Sequence, residues 1–374
     1  MYQADILIRQ YSNEEEQGRN MKPFDGKRIL VTGGTGSLGN VLVRRLLKGE
    51  MGTPEQVLVF SRDEAKQHFM RLDFMRRKSV TDDVIYKNFQ DRLAFRIGDV
   101  RDYHSLSAVM SNTDIVVNAA ALKQVPTCEY FPFEAVETNI GGAENIVRAI
   151  REHNLEVETV IGVSTDKACK PVNVMGMTKA IQERVFIRAN LDCPNTRFVC
   201  VRYGNVLASR GSVIPYFHEQ INCGGPVTIT TMDMTRFLLN LDHAVDTIFR
   251  AYKEAKRGET YVPKVPSVRV VDIADILIGE RPIKKIVVGI RPGEKNHEIL
   301  VSEEEGIRTV DRGGFYAIQS ILPEIAKIDP KAKALGKEFS SADNLMSKRE
   351  LASLLRKNRL MIGDCIVDDR EMVA

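Results

Sequence analysis

The chain has 374 residues, enough for one large domain or a domain with a smaller lobe, and its 43% hydrophobic content supports a globular core rather than disorder. With 53 Lys and Arg against 50 Asp and Glu, the formal charge is +3, and the chain lacks the clustered basic face that nucleic-acid binding requires. No stretch approaches the roughly 20 apolar residues of a membrane span, so neither nucleic acid nor membrane is an expected partner.

Residues 1–22 read as a polar arm: MYQADILIRQYSNEEEQGRN has neither the basic start nor the apolar run of a signal peptide. A cytoplasmic protein is the expectation. The six cysteines, Cys128, Cys169, Cys193, Cys200, Cys223 and Cys365, form no C-x-x-C pair, and no His pair sits at zinc spacing. They read as free thiols in a reducing compartment, with no metal site.

From residue 23 to 205, strand and helix patterns alternate. Continuous apolar runs at 27–33, 56–61, 93–99, 114–121, 159–165 and 197–205 read as buried parallel strands. Helical patterns fall between them near 38–49, 63–78, 103–111, 133–153 and 173–190, and 79–92 reads as a polar insertion. This alternation predicts an α/β fold, a Rossmann-like doubly wound parallel sheet. After 205 the rhythm breaks into Gly- and Pro-punctuated segments. Residues 206–330 are expected to form a smaller substrate-binding lobe that returns a few strands to the main sheet. Residues 331–374 are expected to form an extension, either a short helix with a tail or an arm packed on a neighbour.

The first strand runs into Gly33-Gly34-Thr35-Gly36-Ser37-Leu38-Gly39, followed by a helix pattern. Glycines let the backbone approach a pyrophosphate, and the helix N-terminus supplies N–H groups and a favourable dipole. Gly33, Thr35, Gly36, Ser37, Leu38 and Gly39 are therefore the expected dinucleotide cradle. The second strand ends in Ser61 and Arg62, with Lys66 one helical turn further on. A hydroxyl and two cations suit a ribose 2′-phosphate, so NADP is expected rather than NAD, although Asp63 places an acid one position late. Asp99 and Val100 close the third strand at the adenine edge, and Ala119 and Ala120 end the fourth beside the cofactor.

The fifth strand ends Ser164-Thr165-Asp166-Lys167, and Lys179 follows with Met175 at i−4. Ligands bind at the carboxyl ends of strands in open α/β sheets. The pattern is similar to that of short-chain dehydrogenases, which place a hydroxyl residue here and Tyr-x-x-x-Lys on the next helix. Methionine stands where that tyrosine would be, and a thioether can neither accept nor donate a catalytic proton. Taken alone, Met175 reads as a core filler.

The segments TGGTGSLG, FSRDE, GDVRD, AAALKQVP, STDKACKPVNVMGMTK, RYGNVLASRGSVIP, MTRF and RPGEK occur in this order. Over about residues 24–320 the chain closely resembles the bacterial polysaccharide-biosynthesis group of UDP-N-acetylglucosamine (UDP-GlcNAc) 4,6-dehydratases, some of which carry methionine at the tyrosine position. The resemblance implies C4 oxidation by NADP⁺, loss of water across C5 and C6, and return of hydride to C6. It implies Lys167 as the C5 base, Asp166 as the acid at the leaving hydroxyl, Thr165 at O4 and Lys179 orienting the cofactor. Lys167 must then be neutral part of the time. Burial, Lys179 and the nicotinamide are expected to lower its pKa, while that of Asp166 must be raised. The O4 proton would pass to Lys123, after the fourth strand, or to an ordered water. Asn205, Arg210, Ser212, Val213, Arg236, Arg291 and Glu294 match the UDP-sugar segment. The resemblance also implies a homo-oligomer, dimer or hexamer. Dehydration with inversion at C5, a UDP-hexose 4-epimerase, and a non-catalytic NADP-binding regulator stay open as alternatives.

Overall fold

A computed structural model describes residues 22–76, 90–207, 212–326 and 333–364. The expected arm over 1–22 lies outside the described residues except for Lys22, as does the insertion over 79–92 except for residues 90–92. Arg210 also lies outside them.

The continuous apolar runs form β1 (Arg28–Thr32), β2 (Gln56–Ser61), β3 (Leu93–Ile97), β4 (Ile115–Asn118), β5 (Thr159–Thr165) and β6 (Arg197–Tyr203). These strands pair in parallel in the order 3-2-1-4-5-6, the doubly wound arrangement that leaves a crevice at the strands' carboxyl ends. Between them run α1 (Ser37–Leu47), α2 (Glu64–Arg76), α3 (Tyr103–Met110), α4 (Gly142–His153) and α5 (Val174–Asp192). Both sheet faces are buried. Val31, Val59, Val117 and Val201 pack with Leu42, Leu46 and Phe74 on one face. Leu30, Val116, Val160 and Phe198 pack with Met110, Ile146 and Phe186 on the other.

The helix expected over 133–153 is interrupted. A short helix, Pro132–Ala135, passes through a π-helical turn, Val136–Gly141, before α4 begins. The turn aims Asn139 inward. Its side chain accepts from the Leu122 N–H at 2.9 Å and donates to the Leu122 carbonyl and the Thr178 hydroxyl. This ties the loop after β4 to α5, a use of irregular helix common at functional sites.

Beyond β6 the chain forms β7 (Asn205–Val206), α6 (Val213–Asn222), β8 (Val227–Ile229), β9 (Thr235–Leu239), α7 (Leu241–Glu254) and β10 (Thr260–Pro263). Then follow β11 (Ser267–Arg269), α8 (Val270–Ile278), β12 (Lys285–Val287), β13 (Ile299–Val301), β14 (Thr309–Arg312), β15 (Phe315–Ile318), β16 (Phe339–Ser340) and α9 (Lys348–Lys357). β10 joins β6 in parallel, and β15 and β14 add antiparallel strands, so among the described residues the main sheet has nine strands. A separate apolar cluster joins α6, α8 and α9 through Ile214, Phe217, Ile273, Leu277, Leu351 and Leu355. The described part of the C-terminal extension therefore packs on its own chain, with β16 pairing to β13. Among the described residues, no helix is long and apolar enough to cross a membrane.

Candidate active site

A cleft of about 1480 Å³ runs along the carboxyl ends of β1, β4, β5 and β6 to α6 and the Arg291–Glu294 loop. Every expected site residue within the described part lines it. At its first end, Gly33 has φ +66°, and an added Cβ would lie 2.8 Å from the Ala120 backbone; at Gly39 it would lie 2.5 Å from Gly34. These positions admit only glycine, which keeps the β1–α1 turn flat enough for a phosphate to reach the start of α1.

At the end of β2, the Ser61 hydroxyl accepts from Gln67 at 3.0 Å. Arg62 stands 3.6 Å from Asp99, and Lys66 lies 2.8 Å from Asp63. Asp63 also accepts from the Lys66 N–H at 2.9 Å, so the late acid is engaged at the head of α2. Burial pushes the Asp99 carboxyl up, but hydrogen bonds from Arg101 outweigh this and hold it below the usual carboxylate range. Ala119 and Ala120 donate their N–H groups to Thr32, whose hydroxyl donates to Asn118.

β5 delivers Thr165 to the cleft, and a single 3₁₀ turn, Asp166–Ala168, follows. The Thr165 hydroxyl donates to Asp166 Oδ1 at 2.9 Å. Asp166 is fully buried, while the Lys167 side chain is 22% exposed. Lys167 Nζ lies 3.0 Å from Asp166 Oδ1 and 3.1 Å from Oε1 of Glu298. Glu298 in turn stands 3.8 Å from Arg236 Nε. Burial pushes the Asp166 pKa up, and the Glu298 charge adds to this against the pull of Lys167. For Glu298, burial is outweighed by Lys167 and Arg236, and its pKa falls.

The expectation for Lys167 is corrected. Burial does act to lower its pKa, but Asp166 and Glu298 outweigh burial and raise it. The ammonium therefore sits as a cation between two carboxylates, and Lys179 is engaged elsewhere. Lys179 Nζ donates to Gln182 at 2.6 Å, and burial lowers its own pKa to about 8. Met175 is buried among Cys128, Ala135, Leu122 and Val125, as a core filler would be, and it also lines the cleft.

The Arg291–Glu294 end of the cleft is tied to the same turn. Asn173 caps α5 by accepting from Gly176 N–H at 2.8 Å, and its amide donates to the Gly293 carbonyl at 2.7 Å. Lys295 donates to the Cys169 carbonyl at 2.6 Å. Arg236 is 9% exposed and donates to the carbonyls of Thr235 and Asn296, so it is no surface salt bridge. Along the cleft, Thr138 Oγ1, Asp166 Oδ2, Asn205 Oδ1, Ser212 Oγ, Glu294 Oε2 and Glu298 Oε2 are buried without a hydrogen-bond partner. Buried polar atoms are costly to leave unpaired, and their concentration here marks a ligand-binding surface.

Glu298 was not foreseen from the sequence. It follows RPGEK as one acid in an irregular, charged segment with no local signal, and only the chain's return past β9 brings it to Lys167. Gly176 is the tightest contact between helix and turn: an added Cβ would lie 2.2 Å from the Lys167 carbonyl oxygen. Gly176→Ala is expected to cost about 1–3 kcal/mol through overpacking and to displace the Asp166–Lys167 turn. A thermal melt alongside a turnover measurement checks both effects.

The fold and cleft define an extended short-chain dehydrogenase/reductase architecture. A family model described as "Polysaccharide biosynthesis protein" matches residues 29–320, and the chain belongs to that family. It is 43% identical over 300 residues to the UDP-glucose 4-epimerases of Rickettsia typhi and Rickettsia prowazekii, covering 79% of this chain and 83% of each relative. Among solved structures, Pen from Bacillus thuringiensis is 34% identical with a TM-score of 0.80, covering 91% of this chain and 100% of that one. DesIV, a dTDP-glucose 4,6-dehydratase from Streptomyces venezuelae solved with NAD and TYD, is 21% identical with a TM-score of 0.60, covering 72% and 86%; at that identity it shares the fold alone.

Proposed function

We propose that this chain is an NADP-dependent UDP-GlcNAc 4,6-dehydratase. The observation that carries this reading is Asp166 beside Lys167 at the carboxyl end of β5, with Asp166 fully buried and its pKa raised. Elimination of water across C5 and C6 needs one group to take a proton and one to give a proton side by side, and a carboxyl in contact with a lysine supplies both once the lysine has released its own proton. A 4-epimerase has no use for them.

The Gly33–Gly39 turn and Arg62 fit a dinucleotide, because a Cβ would close that turn. There the cofactor would be held by Gly33, Thr35, Gly36, Ser37, Leu38 and Gly39, with Ser61, Arg62 and Lys66 at the ribose phosphate. Asp99, Val100, Ala119 and Ala120 complete its pocket. When bound, its chemistry is to accept a hydride from C4 and return one to C6. Lys179 would orient the nicotinamide ribose. Thr165 would hydrogen-bond O4, and Lys123 or an ordered water would take the O4 proton in place of a tyrosine. Lys167 would remove the C5 proton, Asp166 would protonate the C6 oxygen, and water would leave as the C5–C6 double bond forms. Asn205, Ser212, Val213, Arg236, Arg291 and Glu294 would hold the UDP portion, with Arg210 in the unassigned stretch between them.

In this reading residues 23–205 serve the cofactor, 206–330 serve the sugar nucleotide, and the described part of the extension, 333–364, braces the second lobe. Exposed Tyr130, Phe131, Phe133, Met177 and Ile181 support a homo-oligomer that covers them. Arg62→Ala is expected to weaken NADP binding about tenfold or more, the value of a charge-assisted bond, while leaving NAD binding nearly unchanged. Titration of both cofactors by fluorescence checks it.

The Rickettsia relatives' names favour a second reading, a UDP-hexose 4-epimerase. Incubation with UDP-GlcNAc and with UDP-glucose in D₂O, followed by proton NMR and mass spectrometry, separates the two. The dehydratase loses one water and gains a C6 methyl group with deuterium at C5, and the C5 coupling distinguishes retention from inversion. Gluco–galacto interconversion without water loss identifies the epimerase. Bound NADP with no turnover identifies a regulator.

A further inference from the structure

For Lys167 to act as an amine, the proton it carries between two carboxylates must have somewhere to go. Two acceptors are within reach, Asp166 Oδ1 at 3.0 Å and Glu298 Oε1 at 3.1 Å. In the dehydratase reading Asp166 is the acid that delivers a proton to the leaving hydroxyl, so it cannot also take the proton of Lys167. It is fully buried, accepts from Thr165, and has Gly204 against its second oxygen. Glu298, like Asp166, lines the cleft, is buried and has a second oxygen without a partner; what sets the two apart is that Asp166 Oδ1 already accepts from the Thr165 hydroxyl. The charged groups facing this trio are Arg236 from β9 and Lys295 from the preceding loop, and neither lies between Glu298 and Lys167.

We infer that Glu298 is the third member of the acid–base set, a positioning residue that takes the Lys167 proton so that Lys167 can act as the amine at C5 while Asp166 keeps its own proton for the C6 oxygen. This rests on the dehydratase reading. The proton moves along the existing contact from Lys167 Nζ to Glu298 Oε1, converting ammonium and carboxylate into amine and carboxylic acid. Lys167 then takes the C5 proton, Asp166 gives its proton to the C6 hydroxyl, and water departs. Protons balance, with one moved to Glu298, one taken from C5 and one released with water. Removing the Glu298 charge leaves Asp166 as the sole counter-ion of Lys167, so the acid and the base are lost together.

The test is Glu298→Gln in the full chain, with Glu298→Asp as the conservative partner, each first shown by circular dichroism to be folded. UDP-GlcNAc is added in D₂O, and three readouts are followed: absorbance of the reduced cofactor, deuterium entry at C5 and loss of water. Expected for Glu298→Gln is retained cofactor reduction, with C5 exchange and water loss both down about 100-fold, the low end of a positioned acid–base contribution. Glu298→Asp should recover part of both. Water loss within about twofold of wild type, or loss of cofactor reduction in a folded Gln variant, overturns the inference alone. A wild-type chain that loses no water overturns the dehydratase reading and the inference with it.

Discussion

Lys167→Met is expected to lower water loss from UDP-GlcNAc by about 1000-fold, within the range of a positioned general base, while C4 oxidation proceeds. Methionine keeps much of the side-chain length but removes the nitrogen that lies 3.0 Å from Asp166 and 3.1 Å from Glu298. Without that cation, two buried carboxylates face each other, and at least one of them takes up a proton. The cradle at Gly33–Gly39 and the Arg291–Glu294 end of the cleft are untouched, so in the proposed reading substrate still binds and the cofactor is still reduced. Deuterium entry at C5 should stop. Asp166→Asn should give the complementary pattern, with C5 exchange continuing and water loss falling, because the acid rather than the base is missing. Proton NMR of the sugar in D₂O reads both variants in one experiment. Turnover within a few-fold of wild type for Lys167→Met would assign the pair a structural role, and steady interconversion of UDP-glucose in that variant would favour the epimerase.

Arg202→Met is expected to destabilise the fold by about 3–5 kcal/mol, the cost of breaking a buried ion pair from one side. Arg202 lies on β6 and is 2% exposed. Its guanidinium donates to both oxygens of Glu183 on α5, to both oxygens of Glu305 and to the Leu300 carbonyl. Ser164, next to the Asp166–Lys167 turn, donates to the same Glu183. One cation thus joins β6, α5 and the segment around Leu300 and Glu305 directly behind the cleft, and removing it strands two carboxylates away from water. Burial pushes Glu305 up, but Arg202 outweighs burial and lowers its pKa to about 2. A carboxylate depressed in the folded state contributes stability that is full above its unfolded pKa of roughly 4.3 and is lost as pH falls toward that folded value. The wild-type advantage over Arg202→Met should therefore be largest near neutrality and shrink as pH drops through the acid range. Urea unfolding at a series of pH values checks the size and the sign, and a difference independent of pH would argue that packing, not charge, dominates.

Much of the cofactor half was legible in the chain. Buried parallel strands need unbroken apolar runs, and QVLVFS or TVIGVST announces itself without knowledge of any neighbour. The turn Gly33–Gly39 and the polar triplet Thr165–Lys167 each lie within a few residues of a strand end, so their place at the rim of the sheet follows from local pattern alone. Periodicity predicts a continuous helix over 133–153, but the π-helical turn is set by Asn139 reaching Leu122 and Thr178, contacts that periodicity does not encode.

The amino-acid sequence by itself determined the alternating α/β frame, the glycine cradle and the position of Asp166 and Lys167 at a strand's end, because each depends on residues close together in the chain. Only the tertiary structure decided which charges surround Lys167. Glu298 arrives from a distant irregular segment, and Arg236 arrives from β9 with its guanidinium held by backbone carbonyls. The sheet's extension by β10, β15 and β14 and the anchoring of the Gly293 loop on Asn173 were decided in the same way. The protonation of an ionisable group reflects its desolvation and the charges within a few ångströms of it. Those neighbours are set by how remote segments pack, so the amine expected at Lys167 became, in the folded chain, an ammonium held between two carboxylates.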